Sequence, residues 1–95
     1  MVGWALVPLD RMTISGETKE YASSQDARRH FCPECGTSLF YTNEAMFPGA
    51  IDVQIATLDD PDELPPQIHV QVAERIGWVK GMQDLPEFDR YPEGP

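Results

Sequence analysis

Apolar and polar residues alternate along several short segments of the chain, as they do in strands with one buried face. The clearest segment is 50–57, where Ile51, Val53 and Ile55 share one face. Shorter β-rich runs lie before it, and each ends at glycine, proline or a polar turn. The pattern predicts a mainly β chain with strands at 4–9, 18–22, 28–32, 37–42, 50–57 and 67–73.

The last of these strands rests on a second alternating run. Ile68, Val70 and Val72 would point toward the core, and His69 would point away from it. Residues 12–14 form a further short strand candidate.

The remainder of the chain shows weaker patterns. Residues 73–82 are consistent with one short helical turn around Ile76 and Val79, which two glycines weaken. Residues 85–95 are predicted to form an irregular tail. Apolar residues recur every three positions in this tail and could hold it against the core; they are Leu85, Phe88 and Tyr91.

Both cysteines lie in one C-x-x-C motif, Cys32 and Cys35, with Gly36 directly after it. Two cysteines at this spacing can direct both sulfurs to one point, as tetrahedral Zn²⁺ requires. A redox C-x-x-C would open a helix, whereas residues 37–42 are β-formers. The motif therefore predicts a zinc-ribbon-type knuckle between two strands, with free thiols or a disulfide as the alternatives.

Two thiolates fill only half of a tetrahedral zinc site. His30 shares a strand face with Cys32 and is a candidate third ligand, but a hydrogen-bonded strand histidine is the favoured interpretation. His69 is expected to have a surface or supporting role. A second copy of the chain could instead donate its own pair and complete a Cys₄ site.

Length and charge limit the function classes. Ninety-five residues predict a single domain spanning 1–95, without any apolar run of membrane-spanning length. The net charge of −9 disfavours nucleic acid as a partner.

The doublet Arg28-Arg29 could bind an anion such as a glutathione carboxylate, although a solvated pair balancing nearby acids is favoured. Two cysteines in C-x-x-C, with no secretory signal pattern, predict a cytoplasmic location.

The order of motifs resembles the glutathione-dependent formaldehyde-activating enzyme family, which also includes centromere protein V. The matching stretches are RHFCPECGTSLF at 29–40, ATLDDP at 56–61, PQIH at 66–69, Trp78, and LPEF at 85–88. The resemblance implies an Mss4-like fold of small, coiled antiparallel sheets around zinc. It also implies carbon–sulfur lyase chemistry on adducts of an aldehyde with glutathione.

The chain departs from the family pattern in its cysteines. Members typically bind a structural zinc through an early C-x-C and a late C-x-x-C, and an active-site zinc through a C-x-C-x-x-C run. Cys32 and Cys35 match the late pair only. Met1 resembles an internal methionine of the family, as though the domain were truncated at its N-terminus.

Two functions follow as expectations. The first is a zinc-binding relative of these enzymes that is inactive as an isolated chain, with glutathione or its aldehyde adduct as the ligand. The alternative is a non-catalytic, zinc-ribbon-like binding or assembly module. In either case we expect a homodimer, because large apolar residues of the N-terminal strand would otherwise be uncovered.

Overall fold

The structure is a computed structural model, and it describes residues 1–92. Its sheet has five strands: β1 (Trp4–Pro8), β2 (Lys19–Ala22), β3 (Ala27–Phe31), β4 (Ser38–Asn43) and β5 (Ala50–Gln54). The helical elements are short 3₁₀ turns at Leu9–Arg11, Ile55–Thr57, Pro61–Glu63 and Gly77–Asp84. Among the described residues, none of these helices has the length and apolar character needed to cross a membrane.

The strands lie in the order β1-β5-β4-β3-β2, and every neighbouring pair is antiparallel. Strands β2 to β5 form a meander, and β1 pairs with the far side of β5. The edges of the sheet are therefore β1 and β2. This arrangement confirms the prediction of a mainly β, antiparallel fold.

Alternation along β5 determines where the core lies. Ile51 and Val53 are buried on one face of the sheet, while Asp52 between them is half-buried on the other. Ile55 and Ala27 complete the buried apolar set. The predicted inward face of Ile51, Val53 and Ile55 is thus correct, although the strand itself is shorter than predicted.

Strand β5 ends at Gln54 and not at residue 57. The next three residues form a 3₁₀ turn in which Leu58 donates its backbone N–H to the Ile55 carbonyl. The Thr57 hydroxyl donates to the Gln54 carbonyl at 2.7 Å, which gives the backbone a local alternative to strand pairing. Residues 12–14 are likewise not a strand.

The strand predicted at 67–73 is wrong. These residues join no sheet, and Ile68, Val70 and Val72 are exposed and do not point into a core. The physical reason is that a strand needs a neighbouring strand to satisfy its backbone hydrogen-bonding groups, and this segment pairs with none of the five strands of the described sheet.

Beyond that segment, the predicted turn around Ile76 and Val79 is the 3₁₀ helix Gly77–Asp84. The tail residues Leu85, Phe88 and Tyr91 are exposed, so they do not hold the tail against the core. Residues 93–95 of the predicted irregular tail lie outside the described residues.

Candidate functional site

The two cysteines lie in the turn that joins β3 to β4. The Cys32 N–H donates to the Thr37 carbonyl at 2.9 Å, and the Gly36 N–H donates to the Cys32 carbonyl at 2.8 Å. Gly36 has φ of +79°, a conformation that a residue with a Cβ adopts at a cost. The sequence folds locally into a tight knuckle that holds Cys32 and Cys35 at one end of the sheet.

Both thiols are free, and their surroundings differ. Cys32 is half-buried and Cys35 is exposed. The Thr37 hydroxyl lies 3.1 Å from the Cys35 Sγ. Hydrogen bonds from the Thr37 side chain and backbone, with a smaller contribution from Cys32, lower the pKa of the Cys35 thiol. The lowered pKa favours the thiolate of Cys35, which is the form that binds metals and attacks electrophiles.

The knuckle offers two sulfur donors, a set whose chemistry suits zinc but fills only half of its tetrahedral shell. No group of three or more His, Cys, Asp or Glu side chains able to hold a metal occurs within residues 1–92. Ligation by Cys32 and Cys35 remains a prediction.

His30 is on β3 near the knuckle but does not join the cysteines in such a group. Its Nδ1 lies 3.3 Å from the Thr18 hydroxyl, and its ring is tilted against Phe40 with 6.5 Å between centroids. These contacts agree with the favoured interpretation of a hydrogen-bonded strand histidine. His69 is exposed and lies in the C-terminal part of the chain.

A β-bulge lies just before the knuckle. Phe31 pairs with Ser38, whereas His30 pairs with Phe40, so β4 holds one extra residue between these two pairs. A bulge bends its strand and re-aims the side chains beyond it. Here it separates the regular part of the β3–β4 hairpin from the cysteine turn.

A row of polar side chains crosses the middle of the sheet on one face. Tyr41 is opposite Arg29 of β3 on one side and opposite Asp52 of β5 on the other. The guanidinium carbon of Arg29 lies 4.9 Å from the centre of the Tyr41 ring, a cation–π distance. Asn43 donates from Nδ2 to the Tyr41 hydroxyl at 3.3 Å. This row could not be predicted from the sequence, because only the strand register shows that these residues are neighbours.

Burial raises the pKa of the Asp52 carboxyl. Asp52 forms no hydrogen bond or ion pair with another side chain among the described residues. The row thus has a half-buried carboxyl on β5 and a guanidinium on β3, with the Tyr41 phenol between them, which suits a ligand that carries both signs of charge.

The structure separates the roles of the two arginines in the basic doublet. Arg28 donates to the carbonyls of Ser24, Gln25 and Ala27, and lies 3.4 Å from a Glu20 carboxylate oxygen. For Arg28, this agrees with the prediction that the doublet balances nearby acids. Arg29 has no ion pair within the described chain, and its exposed side chain lies on Tyr41. Of the two, Arg29 is the one available to an external anion.

An open cavity lies elsewhere, at the C-terminal part of the chain. Its lining includes Met1, His69, Arg75, Val79 and Lys80. No residue of the cysteine turn takes part in it. The cavity therefore does not extend the candidate metal site, but it shows that the N-terminus lies beside the segment around His69.

Comparison with known families gives one match. The family described as glutathione-dependent formaldehyde-activating enzyme matches residues 2–74, which is more than half of the chain and includes the cysteine turn. Searches of curated proteins and of solved structures gave no match.

Proposed function

This chain belongs to the glutathione-dependent formaldehyde-activating enzyme family, and we propose that within it the chain is a zinc-binding domain that recognises glutathione or its aldehyde adducts. The observation that carries the proposal is the coincidence of the family match with a knuckle presenting two thiols at the end of a β-hairpin. The carbon–sulfur lyase chemistry that the sequence resemblance implies is proposed for the intact domain, and not for the two cysteines of this chain by themselves.

Cys32 and Cys35 are the proposed metal ligands. The hydrogen bonds at Thr37 favour the Cys35 thiolate and hold the turn closed before any metal arrives. When bound at such a site, zinc can hold a thiolate or polarise an oxygen. The remaining two ligand positions are proposed to come from the same pair in a second copy, which makes a Cys₄ site. Free thiols at an exposed turn also suit a reducing cytoplasm.

Cobalt substitution tests the ligand set. Co²⁺ bound by four thiolates gives strong sulfur-to-metal absorption and tetrahedral bands, and we expect one metal per two chains. Cys32→Ser and Cys35→Ser should each abolish these bands. His30→Gln is the matched control and should retain them, because the His30 Nδ1 is already engaged by Thr18.

The outcomes of this experiment are distinct. One metal per chain, with weaker thiolate absorption per metal than a four-thiolate site gives, would contradict the shared site and retain the two cysteine ligands. Absence of metal from the chain at micromolar zinc would contradict zinc binding altogether.

Arg29, Tyr41 and Asp52 are the proposed contacts for glutathione. Glutathione carries two carboxylates and one ammonium group, so it presents both charges that this row can bind. Arg29 offers a guanidinium fork for a carboxylate, and Asp52 offers a half-buried acceptor for the ammonium. Tyr41 lies between them and would contact the ligand backbone.

An NMR titration with glutathione tests this surface. Amide shifts should cluster at β3, β4 and β5, and Arg29→Ala should weaken binding about tenfold or more. Arg28→Ala is the matched control, because Arg28 is tied to Glu20 and to loop carbonyls. Equal losses for both arginines would indicate a general charge effect and contradict a specific site.

The isolated chain is not expected to turn over substrate. Its two cysteines are both assigned to the knuckle, which leaves no cysteine for an active-site zinc. The rate of formaldehyde consumption with glutathione should equal the spontaneous rate. A rate proportional to protein concentration and removed by a chelator would contradict this and place an active site on the chain. The second candidate, a binding or assembly module without catalysis, is favoured by the exposed apolar side chains of Ile68, Val70 and Val72.

A further inference from the structure

One segment of the chain has the sequence of a strand but no partner. In residues 67–72 apolar residues alternate with Gln67, His69 and Gln71, and yet the segment takes part in no sheet. Its apolar side chains are far more exposed than a half-buried strand allows: Ile68 is 77%, Val70 is 71% and Val72 is 42% exposed.

The chain as a whole exposes more surface than a compact domain of its mass. Its accessible surface is 8361 Å², compared with about 5,500 Å² expected for a folded 10.7 kDa monomer. Its radius of gyration is 16.1 Å, compared with about 12 Å expected. The excess surface is larger than the roughly 800 Å² that each partner buries in a stable interface.

The two edge strands of the sheet differ in the kind of strand that could pair with them. Edge strand β2 carries Lys19 and Glu20 and is exposed throughout. Edge strand β1 carries no charged side chain, and its Leu6 is exposed. An uncharged strand with alternating apolar residues therefore fits β1 better than β2.

Charge also indicates what the partner is. The chain carries −9, so two copies repel each other except where their surfaces are neutral. Residues 1–9 and 64–73 contain no Asp, Glu, Lys or Arg. Met1 and His69 line the same cavity together with Arg75 and Lys80, so these two neutral stretches adjoin in one largely neutral patch that basic side chains border. A patch that contains both an open edge and an unpaired strand can face its own copy across a two-fold axis.

We propose that the protein is a homodimer in which residues 67–72 of each copy add as a strand to the β1 edge of the other. The addition is reciprocal, so each interface contains two added strands. Pro8 lacks an N–H and ends the ladder at one side. Gln71, now at φ of +56°, takes an extended conformation on pairing. This assembly is independent of zinc and of glutathione.

Sedimentation equilibrium with reductant and a chelator tests the assembly, because those conditions dissociate disulfide-linked and metal-bridged pairs. We expect a species of twice the 10.7 kDa chain mass. Val70→Asp should raise the dimer dissociation constant about a hundredfold, because it buries a charge in the added strand. Ile76→Asp is the matched control; it adds the same charge at an exposed site outside the segment and should change the constant by less than about threefold.

Hydrogen exchange identifies the edge. Amides of residues 67–72 and of β1 should gain protection together as the protein concentration passes the dissociation constant. A monomer at high concentration would overturn the proposal, and so would a dimer that Val70→Asp leaves intact. Protection of 67–72 in a monomer would show that the segment docks on its own chain, and would overturn it as well. Failure of zinc or glutathione binding would leave the result unchanged.

Discussion

The sheet and the segment that follows it differ in how their apolar residues are used. Every buried residue of the described chain lies at or before Ile55, and within 56–92, which we term the C-terminal segment, none is buried. Both parts contain isoleucine, valine and aromatic residues. In the sheet, antiparallel pairing provides hydrogen-bond partners for the backbone N–H and C=O groups and holds one face against the core.

In the C-terminal segment, prolines interrupt pairing and the helices are single 3₁₀ turns or, at Gly77–Asp84, a short 3₁₀ run. Apolar composition alone therefore does not make a core. An apolar side chain of this protein is buried where its backbone hydrogen-bonds to a neighbouring strand and the side chain packs against the core.

Hydrogen exchange should show the largest difference between the two parts. Amides of β5 are in the centre of the ladder and should exchange at least about a thousandfold more slowly than those of residues 87–91, because opening them requires global unfolding. Exchange followed by NMR at neutral pH measures this ratio. Similar protection of the amides in the sheet and in the C-terminal segment would contradict a difference in stability between the two parts.

A matched pair of isoleucines sharpens the comparison. Ile51→Ala should lower the free energy of unfolding by about 2–5 kcal/mol, because Ile51 is 2% exposed and its removal leaves a cavity. Ile76→Ala, in the C-terminal segment, should change it by less than about 0.5 kcal/mol. Urea titration followed by circular dichroism gives both values. A large loss at Ile76 would show that the segment has a core of its own.

Two glycine substitutions compare the backbone conformation of the cysteine turn with that of the C-terminal segment. Gly36→Ala should cost about 1–2 kcal/mol, because φ of +79° is unfavourable for alanine even though space for a Cβ is open. Gly77→Ala meets the same open space at a negative φ and should be neutral or slightly stabilising. Thermal unfolding of both variants is the measurement, and equal costs would contradict the backbone argument.

The smallest effect concerns Asp52. Burial raises its pKa above the ordinary 3.8, so the folded state holds the proton more tightly than the unfolded state and the ionised form is a cost of folding. This cost is absent below the ordinary pKa and grows as pH rises through the folded pKa. Asp52→Asn should therefore gain stability relative to the native chain at pH 7 and not at pH 3. Asp59→Asn, an exposed carboxylate, is the control, and a gain independent of pH would contradict the mechanism.

The sequence predicts most of the sheet because its signals are local. The strands around the cysteines, the turn at Gly36 and the inward face of Ile51 and Val53 all follow from residue type and alternation. Residues 67–73 carry the same signal and were predicted as a strand, which was wrong, since alternation shows which side chains share a face and not whether an edge is present.

The polar row of Arg29, Tyr41 and Asp52 was missed for a related reason. Its members come from three strands, and only the register places them side by side. The cysteine pair, in contrast, was evident from spacing alone, because both residues belong to one turn.

The β-bulge between His30 and Phe31 has a consequence for insertions and deletions. One extra residue in β4 sets the parity with which the hairpin reaches the cysteine turn. Removing Leu39, the one residue between Ser38 and Phe40, would abolish the bulge and its bend, and would change the direction in which the hairpin enters the cysteine turn. The number of residues between Cys35 and Tyr41 is therefore constrained as well as the identities of Gly36 and Thr37, and homologous hairpins should tolerate substitution at Leu39 far better than a change of length there.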